Sequence, residues 1–471
     1  MSSFSIIAGF VAVLLFFIFL QNYNQHVFWL SALLIFDPGG FFTGYLNSDI
    51  VWRIKYYDVF FFVMFVCFLN DKRFEKGDRY YFKIRNVAIA ISCFYFFITG
   101  LMIPLLNDYI DLTFFIQKNR LYFYSVPIFL FVYHFSIRSI DIFYNLLLIS
   151  STIILASFII TILTPIDIVP MMSMDRYGKG DRMFMISYGL LYWTMTMGII
   201  IIMRPGFFKL KYKNLIYFCA FIMVIAELMT LTRRSYLSLA ATVLIIIFLF
   251  SWFENTLGFS KVIKMLLAFG ALSLFLSYFM SQSIDRSTQL INDTYTLLTT
   301  GEDTRGIEDY RITGNGDLLI VKDIISKNPL LGIGYYPADW SDIINMKRSG
   351  SKLALALDAS AEVPIYGAIM RLGIIGLILP TMLYFLIFKI TRNGLLFVKR
   401  NFKHIDEYPI EMFLLIFIIV TIIIKFTINI YNSYVEFYSP SMFSYWLFVY
   451  GMLMGIVERI KRKGEIAETD K

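Results

Sequence analysis

Histidine and cysteine are nearly absent from this chain of 471 residues, which has three of each. The histidines, His26, His134 and His404, are far apart, and the cysteines, Cys67, Cys93 and Cys219, each lie inside an apolar run. No His/Cys cluster has metal spacing, and a disulfide scaffold is excluded. The cysteines read as small core residues. Charge is scarce too. Charged residues make up 16% of the chain, against about 25% in an ordinary soluble domain. That shortfall excludes a soluble enzyme and a disordered scaffold. Walker motifs, nucleophile elbows and internal repeats are also missing. Gly332-Ile333-Gly334 is too short for a phosphate loop and follows a helical pattern rather than a strand.

What the chain does have is apolar surface. Hydrophobic residues reach 58%, aromatics 18%, and the mean hydropathy is +0.68. A bilayer-crossing helix needs about 20 mostly apolar residues. Candidate spans fall near 4–20, 27–42, 56–70, 85–106, 121–137, 140–164, 184–203, 214–231, 235–253, 262–280, 364–388, 410–429 and 440–458. The first lacks the basic start and small-residue cleavage site of a signal peptide. Asp37-Pro38-Gly39-Gly40 interrupts the second, so the sequence predicts twelve or thirteen transmembrane helices. The fold class is an all-α polytopic membrane protein.

The net charge is +8. Basic loops orient membrane proteins, with Lys and Arg on the cytoplasmic side. The segments 71–85, 204–213, 389–403 and 459–463 are rich in Lys and Arg, and alternation of the spans puts all four on one side. The basic charge therefore records orientation and does not point to nucleic acid. Four regions follow: helices over 1–280, an outer loop over 281–363, helices over 364–458 and a cytoplasmic tail over 459–471. The outer loop has eight basic and twelve acidic residues. Residues 316–327 predict an amphipathic helix, stopped by Asn328-Pro329 and followed by a turn at Gly332.

Several outer-face arginines run against the charge rule. Arg233 and Arg234 sit in a tight hairpin, Thr232-Arg233-Arg234-Ser235. Arg176, Lys179 and Arg182 share the loop 165–183, Arg305 and Arg311 lie in the large loop, and Arg371 begins inside the next span. Guanidinium binds phosphate oxygens through a planar fork and stays charged. It also snorkels to lipid headgroups, and the Arg233-Arg234 pair alone fits both readings. Lys179 and Arg305 read as solvated loop charges. Together the arginines form a candidate diphosphate site. Asp358 and Glu362 lie four apart before the span near 364, as candidate bases or as interfacial end charges. Glu227 lies within a span, seven residues before Arg234 and on about the same helix face. Lys425 lies within another span. Intramembrane charges are costly and so are functional candidates. A structural Glu227–Lys425 or Glu227–Arg234 pair accounts for them equally well.

Three segments carry a resemblance. They are LMTLTRRSYLSLA around Arg234, Arg311 followed by DIISKNPLLGIG, and EVPIYGAIMRLGIIGL ending at Gly373 and Gly376. In order and sidedness they resemble the O-antigen polymerase and O-antigen ligase membrane glycosyltransferases. The likeness covers roughly residues 170–380. One departure separates the two activities. The ligases open the third segment with a His-Asn pair, whereas this chain has Glu362-Val363 and no histidine in the loop.

The resemblance therefore implies a polymerase with a GT-C-like helical fold in the bacterial inner membrane, its large loop and active site periplasmic. It implies growth of a surface polysaccharide from undecaprenyl-diphosphate-linked oligosaccharides, which serve as both donor and acceptor. It implies no cofactor, no metal, and a chain-length-regulating co-polymerase as partner. Arg234 and Arg311 would stabilise the leaving diphosphate. Glu362, then Asp358, would be the base; Arg233, Arg176, Arg182 and Arg371 would bind substrate. The alternatives are an O-antigen ligase, against which the absent histidine counts, and a lipid-linked oligosaccharide flippase. A flippase would hold its charges in a central cavity and needs no such loop.

Overall fold

A computed structural model describes residues 25–36, 49–51, 54–55, 58, 112–163, 188–203, 208–229, 233–254, 317–333, 364–402, 407–424 and 440–469. These residues are almost entirely helical. In chain order the elements are α1 (Gln25–Phe36), β1 (Asp49–Val51), β2 (Ile54–Lys55), α2 (Leu112–Leu163), α3 (Tyr188–Met203), α4 (Lys213–Met229), α5 (Arg233–Glu254), α6 (Asp317–Lys327), α7 (Pro364–Asn401), α8 (Pro409–Ile424) and α9 (Pro440–Thr469). The strands form a short antiparallel pair, which the hydropathy pattern does not anticipate. The predicted spans 4–20, 56–70, 85–106 and 262–280 lie outside the described residues.

Proline sets three of the starts. Pro364, Pro409 and Pro440 each open a helix. Proline lacks the N–H that a first helical position leaves unused, and its φ is already helical. Serine sets the main break. Ser139 leaves helical geometry inside α2, at φ −146° and ψ 33°. Its hydroxyl donates to the Phe135 carbonyl at 3.1 Å, and Trp29 Nε1 of α1 donates to that hydroxyl at 3.0 Å. The break falls between the predicted spans 121–137 and 140–164. Among the described residues, one stretch, Phe131–Ser157, is long and apolar enough to cross a membrane by length and composition.

The core is a continuous apolar cluster joining α1, the later part of α2, α3, α4, α5, α7, α8 and α9. Its centre is aromatic: Trp29, Phe143, Trp193 and Phe448 meet in edge-on, tilted and stacked pairs. α9 lies closely against α2. A Cβ on Gly455 would meet Ser136 Cβ at 2.5 Å and the Tyr133 carbonyl at 2.7 Å, and one on Gly451 would meet the Phe129 carbonyl at 3.0 Å. Small residues at Gly-x-x-x-Gly spacing let the two helix backbones approach this closely. Hydroxyls inside the helices return to the carbonyl one turn back, as Thr152 does to Leu148, Thr391 to Ile387 and Thr421 to Phe417.

Two boundaries differ from the hydropathy reading. The segment 389–403, read as a loop, is helical through Asn401. The tail, read from 459, continues α9 to Thr469. Lys and Arg are good helix formers and interact well with a helix C-terminus. The apolar run stops at the first charges, but the helix does not.

Candidate functional site

The two ends of the bundle differ in chemistry. At one end the helix ends are tied by charge and aromatic contact. Arg459 of α9 bridges three groups. Its Nε donates to Glu411 Oε1 at 2.8 Å, its Nη2 to Asp141 Oδ2 at 2.5 Å, and its Nη1 to the Ile137 carbonyl at 3.3 Å. Lys463 Nζ reaches the same Glu411 oxygen at 2.5 Å. Glu411 is only 3% exposed and Arg459 11%, so the centre of the network is buried while Asp141 and Lys463 reach the surface. Lys399 lies 4.3 Å from the Trp252 ring, Phe253 packs on Phe402, and Tyr144 donates to the Lys211 carbonyl at 2.9 Å. The described parts of the basic segments 204–213, 389–403 and 459–463 thus gather at one end.

α5 and α7 both reach that end with their C-termini. α5 has 22 residues, about 33 Å at 1.5 Å per residue. The part of α7 after Gly373 is about 42 Å long on the same rule. Their other ends lie away from the basic layer, and there stand Arg233, the first residue of α5, with Arg234 beside it, and Arg371 in α7.

Arg371 sits in an interlock of two segments. α7 breaks at Gly373, with φ 65° and ψ 178°. The turn that ends α6 fits into the gap. Ile333 N–H donates to the Met370 carbonyl at 2.9 Å. Ile374 N–H donates to the Pro329 carbonyl at 3.0 Å, and Ile375 N–H to the Leu330 carbonyl at 3.2 Å. One carbonyl and two N–H groups that the break would orphan are thereby paired with the neighbouring turn. Both crossing points require glycine. Gly332 also has positive φ, 68°, and a Cβ there would meet the Met370 carbonyl at 2.6 Å. A Cβ on Gly373 would strike the Leu330 carbonyl. Arg371 lies two residues before the break and is 8% exposed. It occupies the last turn of the segment 364–372, where a helix C-terminus favours a cation.

The candidate residues divide accordingly. Arg371 is described with its side chain. Arg233 and Arg234 are described as the opening of α5, without their side chains. Arg176, Arg182, Arg311, Asp358 and Glu362 lie outside the described residues, as do Lys179, Arg305 and Lys425. Glu227 lies in α4 (Lys213–Met229) and Arg234 in α5 (Arg233–Glu254), and the side chains of both lie outside the described ones. α6 occupies Asp317–Lys327, one residue inside the expected amphipathic helix, and Asn328-Pro329 follows it. The sequence reading missed the role of Gly332 and Gly373 as the contact between two segments. Their signal was two glycines, each flanked by apolar residues. Among the described residues no group of His, Cys, Asp and Glu has the arrangement of a metal site. Comparison with known proteins finds no matching family model, no matching curated protein and no matching solved structure.

Proposed function

We propose that this chain is a multi-pass bacterial inner-membrane glycosyltransferase. It polymerises undecaprenyl-diphosphate-linked oligosaccharide repeats into O-antigen or a related surface polysaccharide, on the periplasmic side. Two physical observations support a bilayer as the solvent. Large apolar side chains are exposed on single helix faces: Ile149, Ile153 and Ile160 of α2, Leu244 and Phe248 of α5. Such faces need an apolar partner. The basic helix ends gather at one end, as cytoplasmic connections do.

The observation that carries the activity is the interlock. Two of the three segments behind the family resemblance, Pro329–Ile333 and Met370–Ile375, meet backbone to backbone beside a buried arginine. The third segment opens α5 at the same end. In this reading the acceptor's sugar hydroxyl attacks the donor's anomeric carbon. Glu362, or Asp358 in its stead, takes the hydroxyl proton, and undecaprenyl diphosphate leaves. Arg234 and Arg311 stabilise the charge that develops on the diphosphate. Arg371, Arg233, Arg176 and Arg182 bind the donor and acceptor. A chain-length-regulating co-polymerase is the partner.

The test is polymerisation of purified lipid-linked repeats by the reconstituted protein. Arg234→Ala is expected to lose about 100-fold in rate, the usual cost of one charge-stabilising donor, and Arg371→Ala to raise KM for the lipid-linked repeats. Lysine at either position should recover only part of the loss, because the bidentate fork is lost. Long polymer with a normal length distribution from Arg234→Ala would sink the diphosphate role. Glu362→Gln is expected to lose at least about 100-fold, the lower range for general-base catalysis. Full activity would remove Glu362 from the mechanism. Unpolymerised repeats confined to the cytoplasmic leaflet of a deletion strain would instead identify a flippase.

A further inference from the structure

We propose that the turn Pro329–Ile333 is a lipid anchor that inserts its apolar side chains among the acyl chains beside α7. The inference rests on the membrane part of the reading above and not on the glycosyl transfer.

Its side chains are unusual for a turn. Leu330 is 58% exposed and Leu331 48% exposed. The helix they end is polar outside, with Lys322, Asp323, Ser326 and Lys327 all exposed. An apolar tip on a polar helix has no use for water. The tip also joins an apolar strip. Its carbonyls are bonded to Ile374 and Ile375, which are themselves exposed. Ile378, Phe385 and Phe388 continue the exposed side of α7. Residues 374, 378, 385 and 388 fall on one helix face at 100° per residue. From Ile374 to Phe388 the strip runs about 21 Å at 1.5 Å per residue. A protein partner would have to cover its whole length, whereas lipid does so without any specific fit.

The backbone is compatible with that surrounding. Irregular backbone enters hydrocarbon only where its polar groups are satisfied by protein. Here the Asn328, Pro329 and Leu330 carbonyls accept from Gly332, Ile374 and Ile375, and Ile333 N–H donates to Met370. Pro329 has no N–H to satisfy. These bonds pair part of the turn's backbone with protein, which lowers the cost of placing its apolar side chains in hydrocarbon.

The experiment reads depth. The full chain, with Cys67, Cys93 and Cys219 replaced by alanine, is spin-labelled at Leu331→Cys or Leu330→Cys. It is reconstituted in vesicles of phosphatidylethanolamine and phosphatidylglycerol. Asp323→Cys is the water-facing reference and Ile378→Cys the lipid-facing one. Collision rates with oxygen, which concentrates in lipid, are compared with those of a water-soluble nickel chelate. The expected oxygen-to-nickel ratio at both leucine positions is several-fold above that at 323 and close to that at 378. A ratio like that of 323 would overturn the anchor. Shielding from both reagents would also overturn it, in favour of a protein cover. The measurement needs no glycan, so loss of the polymerase reading leaves it intact.

Discussion

Gly373→Ala is expected to detach α6 from α7. The backbone at Gly373 combines positive φ with extended ψ, a region open essentially to glycine, which costs a side-chain-bearing residue about 1–3 kcal/mol, and the new Cβ meets the Leu330 carbonyl. That obstacle is backbone, so no side chain can swing away. Relief means separating the turn from the break and losing its three hydrogen bonds, at about 1 kcal/mol each. A net loss near 3 kcal/mol corresponds to roughly 100-fold at about 1.4 kcal/mol per factor of ten. Hydrogen exchange at the Ile374 and Ile375 amides should rise by that factor. Gly394→Ala is the control. It lies in the same helix, and its nearest neighbours are the ends of Ile419 and Leu453 at 3.4 and 3.5 Å. It should leave exchange at 374–375 unchanged and gain helix propensity of about 1 kcal/mol. Unchanged protection in Gly373→Ala would mean that the interlock does not hold the two segments together. If the site reading is right, the same variant also loses long polymer, because Arg371 is no longer fixed.

Arg459→Ala should produce the largest loss of stability. The arginine is 11% exposed and Glu411 3%, so the substitution leaves a buried carboxylate with only Lys463. Breaking a buried pair by removing one partner typically costs about 3–5 kcal/mol. Asp141 is 44% exposed, so its share is screened by water and the lower end applies. Thermal aggregation in detergent should shift markedly downward. Arg459→Met combined with Glu411→Leu should regain most of the loss, since the uncompensated charge is gone. If the double variant is as unstable as the single one, the network's value lies in something other than charge compensation.

The sequence made the helices legible wherever apolar runs were long. It also placed the Ser139 break to within a residue or two, because the polar stretch around Arg138 and Asp141 interrupts the run. It misplaced the ends of α7 and α9, where hydropathy stops at Lys389 and Arg459 but helix propensity continues. The charged network was out of reach. Arg459 and Asp141 lie 318 residues apart, and no local pattern records such a pairing. The interlock was half visible. The stop at Asn328-Pro329 and the turn at Gly332 follow from local chemistry. The partner of that turn, a break at Gly373 in a helix that hydropathy reads as continuous, does not. Of the candidate site, Arg371 could be picked out as a cation inside an apolar run. Its burial depends on contacts that only the fold supplies.

The close seat of α9 on α2 also sets a schedule. The surface that receives Gly451, Gly455 and Arg459 is made early, and its occupant is made 318 residues later. At about 5–20 residues per second, a ribosome takes roughly 15–60 seconds to supply it. Throughout that wait Asp141 lacks its arginine, and the Tyr133 and Phe129 ridge lies uncovered. A chain cut short before Pro440 would keep those groups open for good, and so would carry a mark by which unfinished copies differ from finished ones.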